Sequence, residues 1–329
     1  MTKKDKDKMP TEKEKKRVEQ EKASKLLDEQ EANQRTQERV AEPLAAEPFL
    51  YEDNGPKTID SLLTIKDLAV DIGKKHIIRN FNFSVQPNEI HVLMGPNGSG
   101  KSTLSKVLAG HPAYEVTEGE IFLNGKNLLD MPPEIRSHEG FFLAFQYPVE
   151  VPGVTNYDFL RLAYNEKRKY EKKSEVDPLE FMELIQRKLY KLKMKDEFLN
   201  RNVNEGFSGG EKKRNEILQM LVLEPKLIIL DEIDSGLDID AIKIICEGII
   251  NNLSKDASLI VITHYPKILE YLKPTHVHIM KEGHLITTGN MELIKILEKK
   301  GYDAFYPNYP HLLDLSEDPD LENFTELVN

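Results

Sequence analysis

Gly95-Pro96-Asn97-Gly98-Ser99-Gly100-Lys101-Ser102-Thr103 fits G-x-x-x-x-G-K-[ST], the pattern of a phosphate-binding loop. It follows an apolar run ending at Met94 and precedes helical spacing from Lys101 to Ala109. Glycines let such a loop turn its N–H groups toward phosphate oxygens, and the helix start adds partial positive charge. In this pattern Lys101 is expected to reach the β- and γ-phosphates and Ser102 to ligate Mg²⁺. A second element, Leu227-Ile-Ile-Leu230-Asp231-Glu232, ends a buried run on two carboxylates. A carboxylate there is costly to desolvate unless it serves a cation. Asp231 is expected to act on Mg²⁺ through water, and Glu232 to orient an attacking water.

These residues need a scaffold. Leu63 to Val70 and Ile77 to Val85 read as strands of a small sheet, and Gly119 to Leu123 as another, ended by Asn124-Gly125. Glu89–Met94, Leu227–Leu230 and Ser258–Ile262 are apolar runs of strand length, suited to strands covered on both faces. Helical spacing runs from about Tyr157 to Leu199 and from Ile239 to Leu253. Strand, helix and strand alternate, so the expected fold is α/β with a parallel sheet.

With 329 residues, the chain suffices for one large domain or two ordinary ones. No run approaches the ~20 apolar residues of a membrane span. The net charge of -11 argues against a general nucleic-acid binder. Cys246 is the only cysteine, so no internal disulfide and no iron–sulfur cluster held by this chain alone is possible. Residues 1–60 read as a charged, disordered or partly helical extension: the first 40 carry 12 Lys/Arg and 10 Asp/Glu. That acidity also speaks against a transit peptide. Residues 311–329 form an acidic tail with six Asp/Glu. Between them, 61–310 is expected to form one nucleotide-binding domain, with a helical subdomain at about 148–222.

Further motifs identify the class. Phe207-Ser208-Gly209-Gly210-Glu211 reads as a Ser/Gly turn opening a helix, hence an anion site. It also resembles the signature of the ATP-binding-cassette (ABC) family. Gln146 falls at that family's Q-loop, Ser235-Gly236-Leu237-Asp238 at its D-loop, and His264 at its switch histidine. The resemblance implies a RecA-like P-loop core with an antiparallel β subdomain and an α-helical subdomain. It implies ATP and Mg²⁺ as cofactors, with Ser102, Gln146 and Asp231 toward the metal. Gly95 to Thr103, Gln146 and Asp231 would hold nucleotide from one subunit, and Ser208, Gly209 and Gly210 from a second copy. Lys101, Glu232 and His264 would act in hydrolysis, and Asp238 would link the two sites. One element departs from the pattern: no aromatic residue stands near Ile72, where many cassettes stack adenine, so apolar contact is expected to hold the base.

Phe142 to Val154, Tyr114 to Thr117, Gly206 to Asn215 and Asp234 to Ala241 are similar to the SufC family, the ATPases of the SUF iron–sulfur assembly system. That resemblance implies SufB- and SufD-like partners, no nucleic acid and no membrane span. It implies a cytoplasmic setting, with the plastid stroma as the alternative. The competing class is the nucleotide-binding subunit of a membrane transporter. A translation-type ABC protein is disfavoured, because those usually carry two cassettes and this chain has one.

Overall fold

The structure, a computed structural model, describes residues 61–305. The expected N-terminal extension and acidic tail lie outside them. Apolar alternation opens the chain: Leu63, Ile65, Leu68 and Val70 are buried on β1 (Leu63–Ile72), and Ile78, Phe81, Phe83 and Val85 on β2 (Lys75–Val85). The chain then enters β3 (Ile90–Met94) and α1 (Lys101–Leu108) before returning through β4 (Glu115–Leu123) and the short β5 (Lys126–Asn127). These strands form an antiparallel sheet in the order β2-β1-β4-β5. Its register shifts between Lys66 and Ala69, opposite Gly119. A Cβ on Gly119 would lie 2.5 Å from the Lys66 carbonyl oxygen, so only glycine fits.

The next elements are α2 (Pro133–His138), β6 (Phe141–Ala144), β7 (Val151–Thr155), α3 (Asn156–Tyr170) and α4 (Pro178–Lys191). The helical spacing from Tyr157 to Leu199 is thus two helices and a short 3-10 turn at Asp196–Asn200. Lys172 in the left-handed region ends the first helix. The second starts at Asp177, whose carboxylate accepts from Leu179 N at 2.8 Å ahead of Pro178. β8 (Asn202–Val203) pairs with β7, and α5 (Gly209–Leu223) follows. Leu160, Phe181, Ile185, Leu189, Ile217 and Leu221 give α3, α4 and α5 a shared apolar interior.

The core sheet is completed by β9 (Leu227–Asp231), β10 (Ser258–Ile262), β11 (His276–Lys281) and β12 (His284–Gly289). Helices α6 (Ile239–Ile250) and α7 (Lys267–Leu272) lie among these strands in sequence, and α8 (Glu292–Lys300) follows the last of them. The strand order is β12-β11-β3-β10-β9-β6. Five strands run parallel, as the continuous apolar runs imply. The edge strand β12 is antiparallel to β11, so the expected parallel core carries one antiparallel edge. Its cause is local: Glu282 and Gly283, both at positive φ, make a two-residue turn that reverses the chain directly. Among the described residues no helix is long and apolar enough to cross a membrane.

Candidate nucleotide site

The loop between β3 and α1 folds around its own lysine. Lys101 is buried, and its Nζ donates to the carbonyl oxygens of Gly95 at 2.8 Å and Pro96 at 3.0 Å, and to Ser99 Oγ at 3.3 Å. Burial lowers the Lys101 pKa, while Glu232 and Asp231 oppose that shift. Gly95 is fixed by close approach: a Cβ there would lie 2.1 Å from the Met280 carbonyl oxygen of β11. Its N–H donates to the Tyr302 hydroxyl at 3.2 Å, tying the loop to the last described turn.

Asp231 ends β9 in a buried position facing α1. Ser102 Oγ donates to its Oδ1 at 3.1 Å and Ser105 Oγ to its Oδ2 at 2.8 Å. Burial raises the Asp231 pKa, and the two hydroxyls oppose the rise. Ser105 was absent from the expected set. A serine one helical turn beyond Ser102 faces the same way, which is the signal that could have found it.

Glu232 adopts φ 50, in the left-handed region, and its N–H donates to Ile262 O at 2.9 Å. Its carboxylate receives Gln146 Nε2 on Oε2 at 2.5 Å and faces His264 Nε2 from Oε1 at 3.2 Å. The structure thus brings together Lys101, Ser102 and Asp231 as one group, and Gln146, Glu232 and His264 as an adjacent one. Gln146 has its amide nitrogen on Glu232.

Ser208, Gly209 and Gly210 stand apart. Ser208 caps α5, accepting from Glu211 N at 3.3 Å, while Glu211 Oε2 accepts from Ser208 N at 2.8 Å. Asp238 likewise caps α6 through Ala241 N at 2.7 Å. Ile72 lies half-exposed at the end of β1, beside the hairpin turn.

A second set escaped sequence reading. Lys213, buried on α5, donates from Nζ to Phe145 O at 2.7 Å and Gln146 O at 2.8 Å. Glu216, one turn later, accepts Phe145 N–H on Oε1 at 2.9 Å. The helix opened by Ser208 therefore grips the backbone that carries Gln146. Burial pushes the Glu216 carboxyl up to about 7, against the pull of Lys213. Around the grip, Phe145, Tyr147 and Val149 are exposed. In sequence, Lys213 belongs to the stretch that resembles the signature, and nothing local ties it or Glu216 to Gln146.

Residues 78–235 match the family model described as ABC transporter. The chain is 56% identical over 242 residues to the probable ATP-dependent transporter ycf16 of Cyanophora paradoxa, covering 74% of this chain and 93% of the relative. It is 52% identical over 241 residues to the probable ATP-dependent transporter SufC of Escherichia coli (strain K12), covering 73% and 97%. It is 51% identical over 257 residues to ABC transporter I family member 6, chloroplastic, of Arabidopsis thaliana, covering 78% and 76%. Among solved structures, the ATP-binding subunit of an ABC transporter superposes with TM-score 0.62 at 26% identity, over 77% of this chain and all (100%) of that one. A cassette solved as a dimer in a post-hydrolysis state with ADP and phosphate shares the fold at TM-score 0.61 and 20% identity, over 70% and 98%. With this fold, these motifs and these relatives, the chain belongs to the SufC-type ABC ATPases.

Proposed function

We propose that this chain hydrolyses ATP to drive conformational change in a scaffold of SufB- and SufD-like proteins that assembles iron–sulfur clusters. The observation that carries this reading is the hydrogen bond from Gln146 to Glu232, made from a loop whose neighbouring side chains Phe145, Tyr147 and Val149 are exposed. A partner seated on that surface presses on the residue that holds the hydrolytic carboxylate.

In this reading the loop Gly95–Thr103 wraps the phosphates. Lys101 exchanges its bonds to Gly95 O and Pro96 O for phosphate oxygens, so its positive charge is stored inside the loop until an anion arrives. Ser102 and Asp231 offer hydroxyl and carboxylate oxygens to one point, a donor set that fits Mg²⁺, with Gln146 as the third expected group. When bound, Mg²⁺ neutralises charge developing on the phosphates. Glu232 accepts a proton from the attacking water, and His264 holds the γ-phosphate. Ser208, Gly209 and Gly210 face the nucleotide of a second copy, with Asp238 between the two sites. Closure excludes water and hydrolysis reopens the pair. We place the chain in the cytoplasm. The plastid stroma is the second reading, because the Arabidopsis relative is chloroplastic by name.

The test is an affinity pull-down from native soluble and detergent extracts, with bound proteins identified by mass spectrometry. SufB- or SufD-like proteins that stimulate the ATPase are expected. Recovery of a multi-span membrane protein instead would move the chain to the transporter class.

A further inference from the structure

At the start of β3 and β11 the sheet carries a cluster unconnected with the nucleotide loop. His91 and His276 are cross-strand partners in the parallel pair β3·β11, and their rings stack with centroids 4.5 Å apart. Glu89, two residues before His91, places Oε2 at 2.8 Å from His91 Nε2 and Oε1 at 3.9 Å from His276 Nδ1. One ligand atom from each of the three lies within 4.8 Å of the others. His91 precedes Gly95 by four residues, about 13 Å along a strand. The cluster and the P-loop therefore occupy opposite ends of β3.

Behind the three stands a relay. His91 Nδ1 lies 2.8 Å from His278 Nε2, and His278 Nδ1 lies 2.8 Å from Thr288 Oγ1. A carboxylate only accepts, so each link has one direction. The Thr288 hydroxyl donates to His278, His278 Nε2–H donates to His91, and His91 Nε2–H donates to Glu89. With neutral imidazoles, each ring carries one N–H and one lone pair in this arrangement. Reversing the Thr288–His278 and His278–His91 links breaks the third, frees the His91 Nε2 lone pair and leaves His91 donating Nδ1–H to His278. No proton is gained or lost. A histidine that binds a metal through one nitrogen and donates the other N–H to a buried acceptor is how imidazole ligands are oriented.

We propose that Glu89, His91 and His276 bind a divalent first-row transition cation of the Zn²⁺ class, with His278 as the positioning residue behind His91. Two imidazole nitrogens and one carboxylate oxygen suit such an ion, whereas Mg²⁺ prefers oxygen donors alone. Bonds of 2.0–2.1 Å put neighbouring tetrahedral ligands about 3.3 Å apart, so three ligand atoms lying within 4.8 Å of one another need only a small contraction. A cleft of about 560 Å³, lined by Thr64, Asn82, Ser84 and His276 among others, leaves the fourth position open to water. The ion would fasten the start of β3 to β11 and so stiffen the strand that delivers the P-loop.

The test uses the full-length, tag-free protein, stripped with chelator and kept in excess Mg²⁺. Zn²⁺ is titrated by calorimetry, and Co²⁺ by its visible absorption as a report on coordination. One equivalent of each is expected, with a rise in melting temperature on Zn²⁺ loading. His276→Ala and Glu89→Gln alter exposed or half-buried side chains; each should weaken binding at least tenfold while basal ATPase activity is kept. His278→Gln should weaken it about 10–100-fold. Absence of stoichiometric binding, or binding unchanged in both His276→Ala and Glu89→Gln, would overturn the proposal.

Discussion

Gln146 Nε2 donates to Oε2 of Glu232 at 2.5 Å, joining residues 86 positions apart. The carboxylate expected to orient water is therefore already engaged, on its other oxygen by His264. Glu232→Gln should keep nucleotide binding, because the P-loop is untouched, and lower turnover by ~100-fold or more. The variant should accumulate an ATP-bound dimer, measurable by light scattering beside phosphate release. Turnover at the normal rate would remove Glu232 from its assigned role.

Lys101→Ala removes the buried cation of the loop. Charge-assisted hydrogen bonds are worth about 1.5–3 kcal/mol, so ATP affinity should fall by roughly tenfold to a hundredfold. Calorimetric titration with ATP checks this, and unchanged affinity would count against the P-loop assignment.

Glu216 predicts a pH dependence of stability. Its carboxyl is raised from its ordinary 4.5 to about 7 in the folded chain. Between those values the native state holds a proton that the unfolded state releases, so this group's contribution falls as pH rises. Below 4.5 both states are protonated, and above about 7 both are ionised with the penalty constant. Glu216→Gln removes the titration. Its melting temperature should therefore gain on the wild type from about pH 5 to about pH 8. Parallel curves would reject the assignment.

Cys246 lies fully buried in the core, and burial pushes its thiol up to about 12. The nucleophile is the thiolate, so the folded protein should resist alkylation at neutral pH. One equivalent should react once denaturant unfolds the chain. Mass spectrometry after a thiol-reagent pulse separates the two states, and rapid labelling of the folded protein would contradict the packing.

What was legible in the sequence was whatever local spacing encodes. Gly95 to Thr103 announces its strand, loop and helix because the chemistry needs all three contiguous. Leu227–Asp231 and Ser258–Ile262 announce a buried sheet because continuous apolar runs have no other comfortable place. The grip of Lys213 and Glu216 on Phe145 and Gln146 was not legible: it joins positions 68 and 67 apart for Lys213 and 71 apart for Glu216. The imidazole cluster was hidden for the same reason, since His91 and His278 are 187 residues apart. The break within the helical spacing of Tyr157 to Leu199 was obscured differently. Asp177-Pro178 is a start signal lying inside a stretch whose charged residues keep helical spacing across the break.

The backbone of Glu232 sets conformation against chemistry at one position. A non-glycine residue at φ 50 costs about 1–2 kcal/mol relative to the right-handed region. Glycine would relieve that cost, at the loss of the carboxylate's contacts with Gln146 and His264. Glu232→Gly would thus relax the backbone while removing the carboxylate to which the proposed function assigns water orientation. In the proposed function, the carboxylate is retained at a backbone cost that a glycine would not carry.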